Sequence, residues 1–390
     1  MRLYDTFQKQ YVDFNPGPTA KIYTCGITPY DSAHLGHIFT FMTYDLLQRR
    51  LENRGHKVQL VRNITDVDEP IFKKAAELAV PYQQLAEQET TAFQAVLEQL
   101  NFRPAFSEPR ASDYIGAMAA ATQALLESGR AYRLDDDVYF DVTQQPTFGQ
   151  FSGYNHRLQL AFMRSRGGDP ERPGKRSPFD FMVWRGISNQ HDPAAWETVV
   201  GRGRPGWHIE CTVMATELLG ASFDLHGGGD DLIFPHHECE IAQSIALGHG
   251  QPARHWLHVA PLLFASEKMS KSLGNLVFAK DLLGIYEPSV IRLALMHFHY
   301  RTGGTWQPEF LDRSNALLTH LRHAKKHIST DQAAQLLATL QAALDDDLDT
   351  HRIIHALQDG VRHLAAPVDR PDVRAQKILT QALALVGLEL

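Results

Sequence analysis

The spacing of apolar positions changes along the chain in a way that separates strands from helices. Lys21–Cys25 (KIYTC) reads as a short buried strand, and a turn-rich stretch, GITPYDSAH, follows it. A helix is predicted from about Leu35 to Asn53, with Phe39, Met42, Leu46 and Leu47 on its inward face, and Arg54-Gly55 supplies the stop signal. Lys57–Ile64 (KVQLVRNI) is the next strand. Strand, loop, helix and strand in this order form a βαβ unit, which predicts a parallel sheet of Rossmann type.

Further along, residues from about 71 to 133 carry helical spacing, and a strand pair is expected near Val138–Val142. Arg164–Pro178 is rich in Gly, Pro and Arg and is expected to form a mobile loop. Ser222–His226 (SFDLH) reads as a strand, and Gly227-Gly228-Gly229 as the turn after it. From about Pro288 the pattern is helical, consistent with a bundle. The expected organisation is a first catalytic half over 1–100 and an inserted α+β segment over 101–200. A second catalytic half over 201–287 and a helical domain over 288–390 complete it.

Composition narrows the functional classes. With 390 residues and 44% hydrophobic content, the chain can bury two or three cores. No apolar run is long enough to span a bilayer, and MRLYDTFQKQ has no signal-peptide core, so a cytoplasmic protein is expected. Cys25, Cys211 and Cys239 are too few and too scattered for a disulfide framework; in a reducing compartment their thiolates would be open to a metal. The net charge of −7 gives no support to nucleic-acid binding. Residues 331–390 hold five Lys/Arg against nine Asp/Glu, a net of −4, which is a poor surface for RNA.

Four constellations carry chemistry. His34-Leu35-Gly36-His37 opens the first predicted helix, whose N-terminus is an anion site where two imidazoles one turn apart can meet a phosphate. Gly36 removes a side chain where a nucleotide base could pack. Lys268-Met269-Ser270-Lys271-Ser272 is a basic loop able to close on a triphosphate and offset charge on leaving pyrophosphate. Either motif alone reads equally well as a capped helix or a solvated loop, but the pair in this order is a strong signal. Third, His236 and Glu240 stand four residues apart after Pro235, which suits a first helical turn. With Cys25 and Cys211 they make a donor set suited to zinc by softness and number, although sequence does not bring four such distant residues together. Cys239 falls on another helix face and is left out. Last, Gly228, Gly229 and Asp231 permit close approach of a ligand and a carboxylate on its ribose; a glycine run alone is weak evidence.

With those motifs in hand, the chain resembles the class I cysteinyl-tRNA synthetase superfamily. The matching segments are YTCGITPYDSAHLGH, RNITDVDEP, GRPGWHIEC, FDLHGGGDDLIFPHHECEIAQS and EKMSKSLGN, over about residues 20 to 280, with a weaker match at ALDDDLDT. The resemblance implies one Zn²⁺ held by Cys25, Cys211, His236 and Glu240 that binds the substrate thiolate, so rejection of serine needs no editing. It places Thr28 and Trp207 near the amino acid, and has His208 and His237 help line the pocket. It sets His34, His37, Lys268 and Lys271 on ATP, with Mg²⁺, and Asp231 near the ribose. Two families share this core and differ in acceptor: the synthetases esterify tRNA, whereas the mycothiol-pathway cysteine ligases form an amide with glucosaminyl-inositol. Asp68-Glu69-Pro70-Ile71 in place of Asp-Asp-Lys-Ile resembles the ligases, as do Gly17–Ala20, Ile27–Asp31 and Ile291–Leu295. The end of the chain at Leu390, where the synthetases carry an anticodon domain, points the same way. Glu240 with Ile-Ala-Gln-Ser resembles the synthetases instead. The expectation is an ATP-dependent cysteine ligase acting on a small amine acceptor, monomeric and without membrane contact. The alternative is a cysteinyl-tRNA synthetase lacking its anticodon domain.

Overall fold

The computed structural model describes residues 1–264, 267–269, 274–362 and 372–390, with only the backbone given for Lys268, Val361 and Arg362. The chain opens with a hairpin, β1 (Arg2–Asp5) and β2 (Gln10–Asp13), then β3 (Thr19–Ile27), α1 (Leu35–Asn53) and β4 (Lys57–Ile64). Helices α2 (Glu69–Leu78), α3 (Tyr82–Gln99) and α4 (Ile115–Glu127) precede β5 (Ala131–Leu134), β6 (Asp137–Phe140), α5 (His156–Ser165), β7 (Phe181–Gly186) and β8 (Gly203–Pro205). Next come α6 (Trp207–Leu219), β9 (Phe223–Gly229), α7 (Glu238–Ala246), β10 (Ala253–Val259), β11 (Leu262–Phe264), β12 (Glu267–Lys268), α8 (Ala279–Leu283) and α9 (Pro288–Leu295). The chain finishes with β13 (Gly304–Trp306), α10 (Glu309–Ala324), α11 (Thr330–Asp345), α12 (Thr350–Arg362) and α13 (Val373–Leu385).

The βαβ reading holds: β3, α1 and β4 fall where the periodicity places them, and β3 pairs with β4 in parallel. The main sheet has the order β10-β9-β3-β4, parallel throughout. The chain leaves β3 toward β4 on one side, while β9 leads to β10 on the other. Between β3 and β9 lies the switch point of the sheet, where the carboxyl ends of strands open a crevice for ligands.

Helix α1 is buried on nearly every face, because it lies between the sheet and the C-terminal helices. Phe39, Met42, Leu46 and Leu47 belong to the core it shares with Leu293, Leu318, Leu340 and Leu383 of that bundle. A second core packs Tyr23 and Val61 of the sheet against Phe140, Phe181 and Trp184 of the antiparallel sheet β5-β6-β7-β8.

Three local expectations are corrected. The strand pair near 138–142 is instead β5 with β6, paired from Ala131↔Phe140 to Leu134↔Asp137, and so it takes up the end of the stretch read as helical. The segment expected to be a mobile loop begins inside α5, and the rest is pinned by charge. Lys175 Nζ meets Asp169 Oδ1 at 3.1 Å, Arg176 Nη1 meets Asp141 Oδ2 at 2.8 Å, and Arg172 pairs with Asp137. Lastly, Gly227–Gly229 is not a turn: these residues continue β9 and pair with Leu257, His258 and Val259. A Cβ on Gly227 would lie 2.1 Å from the Leu257 carbonyl and 2.2 Å from the Tyr44 hydroxyl, so glycine serves close packing here rather than a bend.

Candidate active site and metal centre

The four candidate metal ligands meet at the carboxyl end of the sheet. Cys25 comes from the end of β3, Cys211 from the second turn of α6, and Glu240 from the first turn of α7. His236 precedes α7 in a short turn of π-type helix that begins at Ile233, and Pro235 lies within that turn rather than in the α-helix itself. The i, i+4 spacing does what the sequence predicts: His236 Nε2 and Glu240 Oε1 are 3.1 Å apart. The two sulfurs are 3.8 Å apart, and one donor atom from each of the four residues lies within 4.8 Å of the others. All four are buried, and Cys239, equally buried, lies outside the group.

A second donor set overlaps the first and was missed by sequence reasoning. Cys25, His226, His237 and Glu240 also bring their donor atoms within 4.8 Å of one another. His226 Nε2 bonds Glu240 Oε2 at 2.9 Å, and His237 Nε2 lies 3.3 Å from Cys25 Sγ. Imidazoles continue outward, with His237 Nδ1 to His258 Nε2 at 2.7 Å and His258 Nδ1 to the Thr6 hydroxyl at 2.9 Å. On the other side, His208 Nδ1 meets His236 Nδ1 at 2.9 Å. The alternation in SFDLH sets His226 with Asp224 rather than with Phe223 and Leu225, so it gave no signal for an inward histidine on a strand buried on both faces, and His258 has no sequence signal of its own.

Electrostatically this cluster lacks a cation. Burial pushes the His208 and His258 imidazoles down to about 3, and burial followed by neighbouring imidazoles pushes His236 and His237 well below their usual range. Burial pushes the Cys25 thiol well up, helped by Cys211, and raises the Glu240 carboxyl as well. Glu240 Oε1, although 3.1 Å from His236 Nε2, has no hydrogen bond of good geometry among the described residues. Neutral imidazoles, two thiols and a carboxylate turned on one another in an interior suit a divalent cation of borderline softness, and this set fits Zn²⁺.

The nucleotide motif is organised around the start of α1. His34 is its N-cap, with Nδ1 accepting the Gly36 N–H at 3.1 Å, and the His34 and His37 rings stack at 3.8 Å. A Cβ on Gly36 would come within 2.9 Å of the His34 ring, so this glycine makes room for the capping imidazole. The segment after the second motif is stitched to the first: Leu35 N bonds the Val277 carbonyl at 2.8 Å and Ala279 N the Ala33 carbonyl at 3.2 Å. Lys280 Nζ adds a bond to the Ser32 hydroxyl at 2.9 Å. The Lys268 backbone pairs with Leu263 on β12, and Lys271 lies outside the described residues.

A cleft of about 550 Å³ opens beside the donor set. Thr28, Trp207, His208 and Asp231 line it on the side of the sheet, and the Trp207 ring stacks on His236 at 4.4 Å. Gly228 and Gly229 sit just before Asp231 at the end of β9. Charged residues also line it, among them Asp68, Glu69, Arg185 and Arg204. Burial raises Asp68 to about 6, against the lowering effect of the Glu69 N–H it accepts. Behind it, Glu210 is fully buried; neither carboxyl oxygen has a hydrogen-bond partner among the described residues, and burial raises it strongly.

Residues 14–316 match the sequence family described as tRNA synthetases class I (C) catalytic domain. Three relatives share the name L-cysteine:1D-myo-inositol 2-amino-2-deoxy-alpha-D-glucopyranoside ligase. That of Tsukamurella paurometabola is 42% identical over all of this chain and 95% of its own length. The Mycolicibacterium smegmatis protein is 39% identical over 100% of this chain and 96% of its own. The Thermobispora bispora protein is 41% identical over 90% and 86%. Among solved structures, Mycobacterium tuberculosis methionyl-tRNA synthetase with methionyl-adenylate superposes with a TM-score of 0.61 at 16% identity, covering 94% of this chain and 89% of that one. A putative arginyl-tRNA synthetase from Campylobacter jejuni gives 0.58 at 13% identity, with 94% and 90% covered. These two establish the fold alone.

Proposed function

The chain belongs to the class I (C) tRNA synthetase catalytic-domain family, and on that premise we propose that it is an ATP-dependent cysteine ligase whose acceptor is a small aminosugar such as glucosaminyl-inositol. The observation that carries the chemistry is the buried Cys25, Cys211, His236 and Glu240 set, whose His236 ring stacks on Trp207, a lining residue of a cleft sized for a small molecule. The choice of acceptor is supported by relatives of that name, about 40% identical along nearly their whole length.

In this reading the four donors hold one Zn²⁺, which when bound supplies a thiolate-selective contact for the substrate side chain. Thr28 and Trp207 orient the amino acid, with His208 and His237 shaping the pocket around it. The cysteine carboxylate attacks the α-phosphorus of ATP, the bond to the bridging oxygen breaks, and pyrophosphate leaves. His34 and His37, at the positive end of α1, donate to the phosphates, and Gly36 leaves room for the nucleotide. Lys268 and Lys271 offset charge on pyrophosphate, Mg²⁺ accompanies ATP, and Asp231 with the Gly228-Gly229 backbone receives the ribose. The acceptor amine then attacks the adenylate carbonyl, AMP departs with its bonding pair, and one proton is released from nitrogen. Positioning supplies much of the rate, because an adenylate is already activated.

No helix among the described residues is long and apolar enough to cross a membrane, and we place the enzyme in the cytoplasm as a monomer. Purified protein with ATP and cysteine should catalyse pyrophosphate–ATP exchange and release AMP when glucosaminyl-inositol is added. Rapid charging of tRNA with no turnover on the amine would sink the ligase reading.

A further inference from the structure

Three charged residues that line the cleft, Glu69, Arg185 and Arg204, form an arrangement that cysteine activation does not use. Glu69 Oε1 accepts from two guanidiniums at once, Arg185 Nη1 at 2.6 Å and Arg204 Nη2 at 2.5 Å. Among the described residues no hydrogen bond reaches Glu69 Oε2, and all three residues line the cleft. Arg204 is only 10% exposed, lies over the Phe72 ring at 4.6 Å, and touches Asp192 at 3.4 Å, so it cannot swing away. Glu69 itself is 55% exposed, and an ion pair that open contributes little to folding.

The local sequence builds this wall deliberately. Asp68 caps α2 through the Glu69 N–H at 2.8 Å, and Glu69 stands in the first turn, where the helix dipole favours a carboxylate. Pro70 follows at a position where its missing N–H costs nothing, and it places a neutral ring on the wall. The result is a carboxylate with one oxygen held by two cations and the other without a hydrogen bond among the described residues, on a side chain that lines a cavity of about 550 Å³. Fixed in that way, Glu69 Oε2 is a preorganised acceptor, and the flanking guanidiniums keep further N–H groups for donation.

We infer that the Arg185–Glu69–Arg204 bracket is the subsite for the hydroxyl-bearing part of the acceptor. The amine points toward Trp207 and the polyol toward Glu69. Glu69 Oε2 accepts from ring hydroxyls while the guanidiniums donate to others. Glu69 is thus a specificity-determining residue for the second half-reaction and takes no part in cysteine activation. This assignment rests on the ligase reading above.

The test compares Glu69→Gln with wild type using two acceptors, glucosaminyl-inositol and glucosamine, the second lacking the inositol hydroxyls. For glucosaminyl-inositol the variant should show KM raised about 10- to 100-fold with kcat within about twofold, the loss expected for hydrogen bonds to a charged group. For glucosamine KM should move less than about threefold, and cysteine-dependent pyrophosphate–ATP exchange should stay at the wild-type rate. An unchanged KM for glucosaminyl-inositol overturns the subsite. A fall in exchange parallel to the fall in amide formation also overturns it, by showing a structural role. Wild-type protein that charges tRNA and turns over neither amine brings down the ligase reading first, and this assignment with it.

Discussion

Two buried polar clusters in this molecule look alike in composition and behave oppositely. Beneath α1, Asp45 Oδ2 accepts from Arg49 Nε at 2.8 Å and Arg292 Nη2 at 2.5 Å. Further guanidinium N–H groups reach the carbonyls of Leu100, Val386 and Ala384 at 2.8–3.1 Å. Against the cost of burial, Arg292 and then Arg49 hold the Asp45 carboxyl below its usual range. At the end of the sheet, Cys25, Cys211, His236 and Glu240 are also buried, yet among the described residues no lysine or arginine pairs with them. Where buried charge is matched from within, the cluster fastens the C-terminal helices to the catalytic core. Where it is left unmatched, the protein has spent stability on a place for something to bind.

Breaking the unmatched cluster should have the largest effect. Cys211→Ser removes a thiol from the donor set, so bound zinc should fall well below one per chain and cysteine-dependent exchange should drop by ~10³-fold or more. Elemental analysis and the exchange assay read the two, with far-ultraviolet circular dichroism nearly unchanged. Full zinc with full exchange would show that the metal lies elsewhere.

Breaking the matched cluster should act on folding alone. Arg292→Met leaves Asp45 with Arg49 as its one remaining cationic partner in this network, and urea unfolding should report a loss of about 3 kcal/mol. Zinc content and exchange by the folded fraction should remain as in wild type. Loss of zinc in this variant would mean the two clusters are coupled.

Asp68 sharpens the comparison, being a half-buried carboxylate with only part of its charge offset. Raised from 3.8 to about 6, it binds more protons folded than unfolded. Its contribution is therefore a penalty that grows as pH rises from about 4 to 6 and stays constant above. Asp68→Asn keeps a capping side chain and removes that penalty. Unfolding at pH 7.5 should show a gain of about 1–2 kcal/mol, less than the full linkage value of about 3 kcal/mol for a shift of roughly two units, because the Glu69 contact also changes. At pH 4 the gain should vanish. An equal gain at both values would refute the linkage.

Much of the first half of the fold was legible. Periodicity located α1 and β4 with their observed ends, since a helix stop at Arg54-Gly55 and a compact apolar run are local signals. The glycine run at 227–229 was misread because its reason is tertiary: Tyr44 and Leu257 crowd that strand from elsewhere in the chain. The bracket at Glu69 was equally hidden, since Arg185 and Arg204 come from two strands more than a hundred residues away.

The sequence by itself determined the β3–α1–β4 unit, the i, i+4 contact between His236 and Glu240, and the capping His34, because these interactions span a few residues and follow from backbone geometry. The tertiary structure decided which polar residues share an interior. Cys25 and Cys211 stand 186 positions apart, yet their sulfurs lie 3.8 Å from each other. Sheet order and helix packing close that distance, and burial then removes the water that would otherwise have satisfied those groups.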